Sequence, residues 1–398
     1  MVMSNLFIKR FISVLKLLRQ TLTEGGYDDL MLVYIITASI NEVENLKPLN
    51  SAEQENLKVL IIDEGNVKLR KKNDEYLENI HHEYFGPRER REWFRSRFGS
   101  AYGKYEGLVP EKCHAETSFG FLVAYEKDAD VVLELDDDVH ITEDFVEKHV
   151  ENLISREGIT VNAKGKWYNT MENLVLSDDS MIYPRGHPYS SETRAERYSW
   201  VERGGDCVLN MGLWLQNPDL DALTLVYHGG LNGKCDIGSD GCKREKVLVG
   251  EGTYFAVCSM NTSFKTQVIP AFYQLYMNIH GIDRFDDIWS GIFAKRIADH
   301  LGEKTCIGKP LGSHIKRSRN VFNDLRKELG GIVINERLWR IVDEAELSSK
   351  SFADCYLELS EHLSKSLNKQ IKEPAYVKFM RLQTQKMRTW IKAIDKLS

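Results

Sequence analysis

Three apolar runs in the N-terminal part of the chain restrict the fold most: LMLVYIITASI, LKVLIIDEGN and DVVLELDDD. Each is rich in Val, Ile and Leu, and each ends abruptly in small, polar or acidic residues. Short continuous runs of this kind read as strands buried on both faces. NEVENLKPL, after the first run, predicts the start of a helix, and ETSFGFLVAYEKDA, before the third, predicts another. Strand, helix, strand, helix, strand is the signature of a doubly wound, mostly parallel α/β sheet flanked by helices. Such sheets bind ligands beyond the carboxyl ends of their strands, near a switch in strand order. The polar residues fall there: Thr37, Ser39 and Asn41 after the first run, Asp63, Glu64 and Gly65 after the second, Asp136–Asp138 after the third.

No GxGxxG follows the first run and no GxxxxGK[ST] occurs, which disfavours a dinucleotide fold or a P-loop. The three aspartates offer different chemistry. Alternate strand residues point the same way, so Asp136 and Asp138 aim at one point and Asp137 faces elsewhere. Two hard carboxylates suit Mn²⁺ or Mg²⁺, which is completed by phosphate oxygens and water. A metal bridging a diphosphate neutralises charge as the leaving group departs. That is the logic of the DxD site in nucleotide-sugar glycosyltransferases, and the bland alternative is a solvated acidic turn. In KPLGSHIKRSRNVF, His314 supplies a candidate further ligand, with Lys316, Arg317 and Arg319 as candidate diphosphate contacts. Thr37, Ser39, Gly65 and Asp137 border the same region as candidate nucleotide contacts, and Asp63 or Glu64 is placed to accept hydrogen bonds from uracil or ribose. In GIDRFDDIW, Asp286 or Asp287 either caps a helix or acts as a general base.

The net charge of −6 argues against a nucleic-acid binder. Seven cysteines without a tight framework favour reduced thiols and a cytoplasmic setting. Cys235 and Cys242 read as loop thiols rather than a metal clip, because zinc pairs prefer about two to four intervening residues. No apolar run reaches the roughly 18–20 residues of a membrane span. The basic N-terminal stretch places Phe7, Phe11, Val14, Leu15 and Leu18 at helical spacing. It reads as an amphipathic helix, docked on the domain or lying peripherally on a membrane surface. GPRERREWFRSRFG reads as a salt-bridged surface helix, and residues 155–253 as long loops with short strands. The expected organisation is a helix over 1–28, a nucleotide-sugar domain over 29–345 and a C-terminal helical extension over 346–398, with the last two helices parting near Pro374.

Several stretches together are more specific than any DxD: LELDDDV, YPRGHPYS, NMGLWLQNPDLDA, CSMNTSF, RFDDIWSGIFAKRIADHLG, KPLGSHIKRSRNVFNDLRKELGGI and CYLELSEHL. On these, from about residue 31 onward, the chain resembles the reversibly glycosylated polypeptides, the family that includes the plant UDP-arabinopyranose mutases. The resemblance implies a GT-A-like fold, a UDP-sugar substrate, a divalent metal and pyranose–furanose interconversion. It also implies reversible glycosylation of an arginine, which falls on Arg185 of RGHPYS. The family's second arginine, seven positions on, is Glu192 here, and Arg194 is the nearest candidate. Met211 stands where the family has histidine, and Glu64 where it has aspartate. The alternatives are a metal-dependent glycosyltransferase passing the sugar to a glycan or lipid acceptor, and a non-catalytic UDP-sugar-binding subunit. A homo-oligomer is the expected assembly.

Overall fold

The structure, a computed structural model, describes residues 31–51 and 56–398. The N-terminal amphipathic stretch, with its expected membrane contact, lies outside them. Fifteen strands are numbered in chain order. Ten form one sheet: β1 (Val33–Ala38), β2 (Leu57–Ile62), β3 (His81–Phe85), β4 (Val131–Leu135), β6 (Ile159–Ala163), β8 (Tyr198–Val201), β9 (Leu209–Gly212), β12 (Lys246–Val249), β13 (Asn261–Lys265) and β14 (Thr305–Gly308). Five form a second: β5 (Val139–Ile141), β7 (Leu174–Leu176), β10 (Leu215–Gln216), β11 (Ser239–Cys242) and β15 (Gly312–His314).

The large sheet runs β3-β2-β1-β4-β13-β9-β14-β12-β6-β8. Five of its nine neighbouring pairs are parallel. The parallel block β3-β2-β1-β4 is the part the apolar runs predict. Strand order reverses between β1 and β4, which is the switch point where such a sheet opens a crevice. Beyond β4 the sheet is mixed, because β13 inserts antiparallel to both β4 and β9. The small sheet, β5-β15-β10-β11-β7, brings the chain around His314 alongside the segment that follows the three aspartates.

Helices α1 (Val67–Tyr76), α2 (Pro87–Phe98), α3 (Thr117–Glu126) and α4 (Phe145–Ile154) serve the N-terminal part. Gly120 lets α3 pack closely on the sheet, since a Cβ there would lie 2.5 Å from Ile36 Cγ2. Instead of an α-helix after β1, Glu44–Ser51 is a 3₁₀ segment containing Pro48. Proline has no N–H and crowds the preceding turn, so an α-helix does not propagate through it. Helix α2 lies on the surface and is tied down by Arg91–Glu106 and Arg97–Glu126.

Helix α5 (Asp286–His300) runs through the core, with twelve of its fifteen residues buried. Trp289, Ile292 and Phe293 are fully buried, each contributing on the order of 1.5–3 kcal/mol. Neither aspartate caps it. Phe285 occupies the N-cap, and Asp286 and Asp287 lie in the first turn, where the positive end of the helix dipole favours them. Helices α6 (Val321–Asp343), α7 (Phe352–Gln370) and α8 (Pro374–Leu397) close the molecule, and Leu32–Ser398 form one compact unit. Cys235 and Cys242 are free thiols. Among the described residues, no helix is long and apolar enough to cross a membrane.

Candidate active site

Two adjoining cavities meet at the end of β4, sharing His114, Asp136 and Asp138. The larger, about 530 Å³, sits at the switch point and is lined by Ala38–Asn41, Glu64, Lys112, Cys113, Glu116 and Asp137 besides the shared residues. The smaller, about 110 Å³, is ringed by Arg185, Asp219, Ser259, Met260, Arg284, Asp286, Asp287, His314 and Arg319 together with the shared residues.

The three aspartates have separate surroundings. Asp137 turns away from its neighbours: its Oδ2 accepts from Ser39 Oγ (2.5 Å) and Asn41 Nδ2 (2.8 Å), and its Oδ1 from Arg317 (3.1 Å). Ser39 and Asp137 are thereby spent on each other. Asp136 Oδ1 lies 3.1 Å from His114 Nε2. Asp138 Oδ2 lies 3.7 Å from His314 Nε2. β15 pairs His314 with Val139, and Ile315 N donates to the Asp138 carbonyl. That register holds the histidine beside the acid. His314 Nδ1 is 2.8 Å from the Asn217 carbonyl, which can only accept, so Nδ1 carries the proton. With Nδ1 so committed, Nε2 faces Asp138, the arrangement of metal sites in which a second contact orients the ring. Burial raises the Asp138 pKa, but His314, Arg317 and Arg319 outweigh it and hold the carboxylate ionised. No three His, Cys, Asp or Glu side chains among the described residues form a ready ligand set. Asp138 and His314 fit two positions of a divalent ion whose remaining ligands come from phosphate and water.

Arg185 is clamped. Its Nε donates to Asp219 (3.0 Å), Nη2 to Asp287 (3.3 Å), and Nη1 to the Arg284 carbonyl. Burial disfavours its charge, but Asp219 and Asp287 raise its pKa well above the ordinary value. It therefore stays a guanidinium. Burial, with the charges of Asp286 and Asp219, pushes the Asp287 pKa up against the pull of Arg185 and His114. Asp287 also accepts from Ser259 N (3.2 Å). Asp286 is held below the usual range: burial raises it, and the hydrogen bond to His114 Nδ1 (2.9 Å), the charges of His114 and Arg185 and a backbone hydrogen bond together outweigh that.

His114 bridges Asp286 and Asp136 across this junction, with its side chain 31% exposed. It sits in a one-turn 3₁₀ segment, His114–Glu116, in a stretch with no motif. Asp219 and Arg284 lie within quoted family stretches but were given no role there, and Glu116 had none either. Arg284 adopts φ +66°, a left-handed conformation rare for a side-chain-bearing residue. Its guanidinium lines the smaller cavity and pairs with buried Glu328 at 2.6 Å.

Other expected residues fall elsewhere. Asp63 is buried and held bidentately by Arg70 (2.7 Å to each oxygen), so it does not face the larger cavity, whereas Glu64 does. Gly65 makes the turn after β2 at φ +75° and donates its N–H to Asp63. Thr37 is fully buried in β1, and its hydroxyl lacks a hydrogen-bond partner. Lys316 is buried and lines neither cavity. Its Nζ has no hydrogen-bond partner, and burial pushes its pKa down to about 8. Arg194 is outside the site. Its guanidinium lies between Tyr183 and Tyr189, 4.2 and 3.9 Å from the ring centres, and donates to the Pro188 carbonyl.

The fold and these cavities define an α/β protein with a charged strand-end ligand site at a switch point. Residues 104–398 match the profile of the Reversibly glycosylated polypeptide family, and the chain belongs to that family. It is 29% identical over 318 residues to "Probable UDP-arabinopyranose mutase 1" of Solanum tuberosum, covering 76% of this chain and 77% of the relative. It is also 29% identical to "UDP-arabinopyranose mutase 1" of Oryza sativa subsp. japonica (76% and 77% covered). Identity to "UDP-arabinopyranose mutase 1" of Arabidopsis thaliana is 28% (76% and 79% covered). Among solved structures, mouse xyloside xylosyltransferase 1 gives a TM-score of 0.20 at 9% identity, covering 34% of this chain and 53% of that one. That likeness is too slight to add to the fold described above.

Proposed function

We propose that the chain is a UDP-sugar mutase that interconverts the pyranose and furanose forms of UDP-arabinose. The observation that carries this reading is the pairing of a roomy strand-end cavity with a small charged one through His114, Asp136 and Asp138. The larger cavity suits a nucleoside and the smaller a pentose. Among the described residues, no Phe, Tyr or Trp lines the smaller cavity, which favours a reaction within one sugar over transfer to a glycan or lipid acceptor.

Asp138 and His314 would hold Mn²⁺ or Mg²⁺ with the diphosphate, and Asp136 stands beside them. A divalent ion there would neutralise charge as the diphosphate departs. The bond from C1 to the diphosphate oxygen breaks, and its electron pair stays with UDP. Arg319 and Arg284, on the cavity wall, offset that charge. Exchange of ring size requires one sugar hydroxyl to lose a proton and the former ring oxygen to gain one. Asp286, ionised and steadied by His114, is placed to take the first proton and return it. The new ring oxygen closes on C1, and the bond from C1 to the former ring oxygen breaks. That oxygen keeps the electron pair and takes up the returned proton, and the UDP oxygen re-forms its bond to C1 of the furanose. Arg185 serves as a fixed positive charge in this scheme. An N-glycosyl bond would need its deprotonated form, which two buried carboxylates oppose.

The test is incubation of the purified protein with UDP-arabinopyranose and Mn²⁺, followed by chromatographic separation of the nucleotide sugars. The expected result is a furanose peak that reaches the same ratio from either direction. No new peak, with UDP released once a glycan or lipid acceptor is supplied, would move the protein to the glycosyltransferase class.

A further inference from the structure

Most charged groups around the smaller cavity are satisfied, and two in the larger cavity are not. Glu116 is 3% exposed and lines the larger cavity. Its Oε2 lies 3.1 Å from Arg90 Nη1 yet receives no hydrogen bond. The reason is geometric. Arg90 Nη1 spends its hydrogens on the carbonyls of Phe85 (3.1 Å) and Asp63 (3.2 Å). Glu116 therefore has a cation beside it but no donor aimed at it. Glu64 Oε1 is also buried, lines the same cavity and lacks a partner. Buried acceptors without donors are costly, and a native site that keeps them usually has a ligand to satisfy them. Ser39 and Asn41, donors on the same cavity wall, are committed to Asp137, and Arg90 Nη2 is itself buried without a hydrogen-bond partner.

We infer that Glu116, together with Glu64, is a nucleoside-recognition residue whose free carboxyl oxygen accepts a hydrogen bond from a base N–H or a ribose hydroxyl. This rests on the nucleotide-sugar reading above and deepens it. A nucleoside is the part of such a substrate that presents neutral N–H and O–H donors. The diphosphate presents only acceptors, which have no hydrogen to give to either oxygen. Glu64 and Glu116 thus suit the nucleoside at one end of the larger cavity, and a divalent ion held by Asp138 and His314 at the junction would draw the diphosphate to the other. The choice between base and ribose is open chemistry with one shared donor type, and ligand analogues separate the two.

The experiment is calorimetric titration of the full chain, with Mn²⁺ present, using UDP, 2′-deoxy-UDP and UDP methylated at uracil N3. Glu116→Met removes the acceptor at similar length, and Glu116→Gln and Glu64→Gln are milder partners. Glu116→Met is expected to weaken UDP binding about tenfold or more, in keeping with loss of one buried hydrogen bond. One analogue should bind the wild type similarly weakly and lose nothing further in the variant. Loss on removing the 2′-hydroxyl assigns the ribose, and loss on N3 methylation assigns the base. A folded Glu116→Met that binds UDP like the wild type overturns the inference. If that variant does not fold, undiminished UDP binding by both Gln variants, with both analogues binding the wild type like UDP, overturns it equally. Failure of wild-type protein to bind UDP at all would instead strike the nucleotide-sugar reading itself.

Discussion

The two cavities share a wall and differ in how their charges are settled. In the smaller one, Arg185 is neutralised by Asp219 and Asp287, Asp286 by His114, and Arg284 by Glu328. In the larger one, Glu116 lies beside Arg90, yet one buried oxygen each of Glu64 and Glu116 lacks a hydrogen bond. The first is organised before any substrate arrives, which is what stabilising a developing charge requires. The second is completed by its ligand, which is what recognition requires. One strand end serves both because Asp136 and Asp138 face the junction while Asp137, on the wall of the larger cavity, is tied to Ser39, Asn41 and Arg317.

The contrast breaks most severely at Arg185. Arg185→Ala leaves Asp219 and Asp287 buried without their cation, and stability should fall by about 3–5 kcal/mol, read from urea denaturation. Glu64→Gln, in the other cavity, should stay within about 0.5 kcal/mol of the wild type. Equal losses would erase the distinction drawn here. Next is Asp286→Asn, which should lower turnover about 10²–10⁴-fold with UDP affinity retained. A parallel fall in affinity would make Asp286 a binding group instead. At the junction, Asp138→Ala should abolish Mn²⁺-dependent UDP binding, and His314→Ala should weaken it less because neutral imidazole brings no charge. Calorimetry with and without Mn²⁺ ranks the two, and the reverse order would overturn the ligand assignment.

The smallest effect is one of pH. Burial raises the Glu116 pKa to about 8, against the pull of Arg90 and His114 and with the help of Glu64 and Asp63. The folded protein thus keeps a proton that the unfolded chain releases near the ordinary glutamate value. This contribution is complete below that value and is lost as pH rises through about 8. Denaturation of the unliganded protein at pH 5.5, 7 and 8.5 should show that decline, and Glu116→Gln should flatten it. An unchanged slope in the variant would place the titration elsewhere.

The parallel block was legible because burial on both faces writes itself into a strand as an unbroken apolar run. The aspartates at its end were legible because a sheet exposes its strand ends at fixed places. His114, Asp219 and Arg284 were not. Each stands in an irregular segment with no periodicity to read; the quoted stretches around Asp219 and Arg284 gave them no role, and each gains one from a distant partner. His114 meets Asp286 across 172 positions of sequence. Asp63 misled in the opposite sense. Its place after β2 was right for a nucleoside contact, but Arg70, one helical turn into α1, captured it. Arg194 lay near Arg185 in sequence and was drawn off by two tyrosine rings.

The antiparallel insertion of β13 beside β4 bears on how the molecule comes into being. β4 carries Asp136–Asp138 at its end, yet one of its two edges stays open until Asn261–Lys265 has been made. Asp286, Asp287 and His314 emerge from the ribosome later still. A nascent chain that has already laid down its parallel block therefore exposes an unpaired strand edge for more than a hundred residues of synthesis, the condition under which strands recruit the wrong partner. For this protein, guarding that edge during translation is as much a condition of activity as any side chain in the finished site.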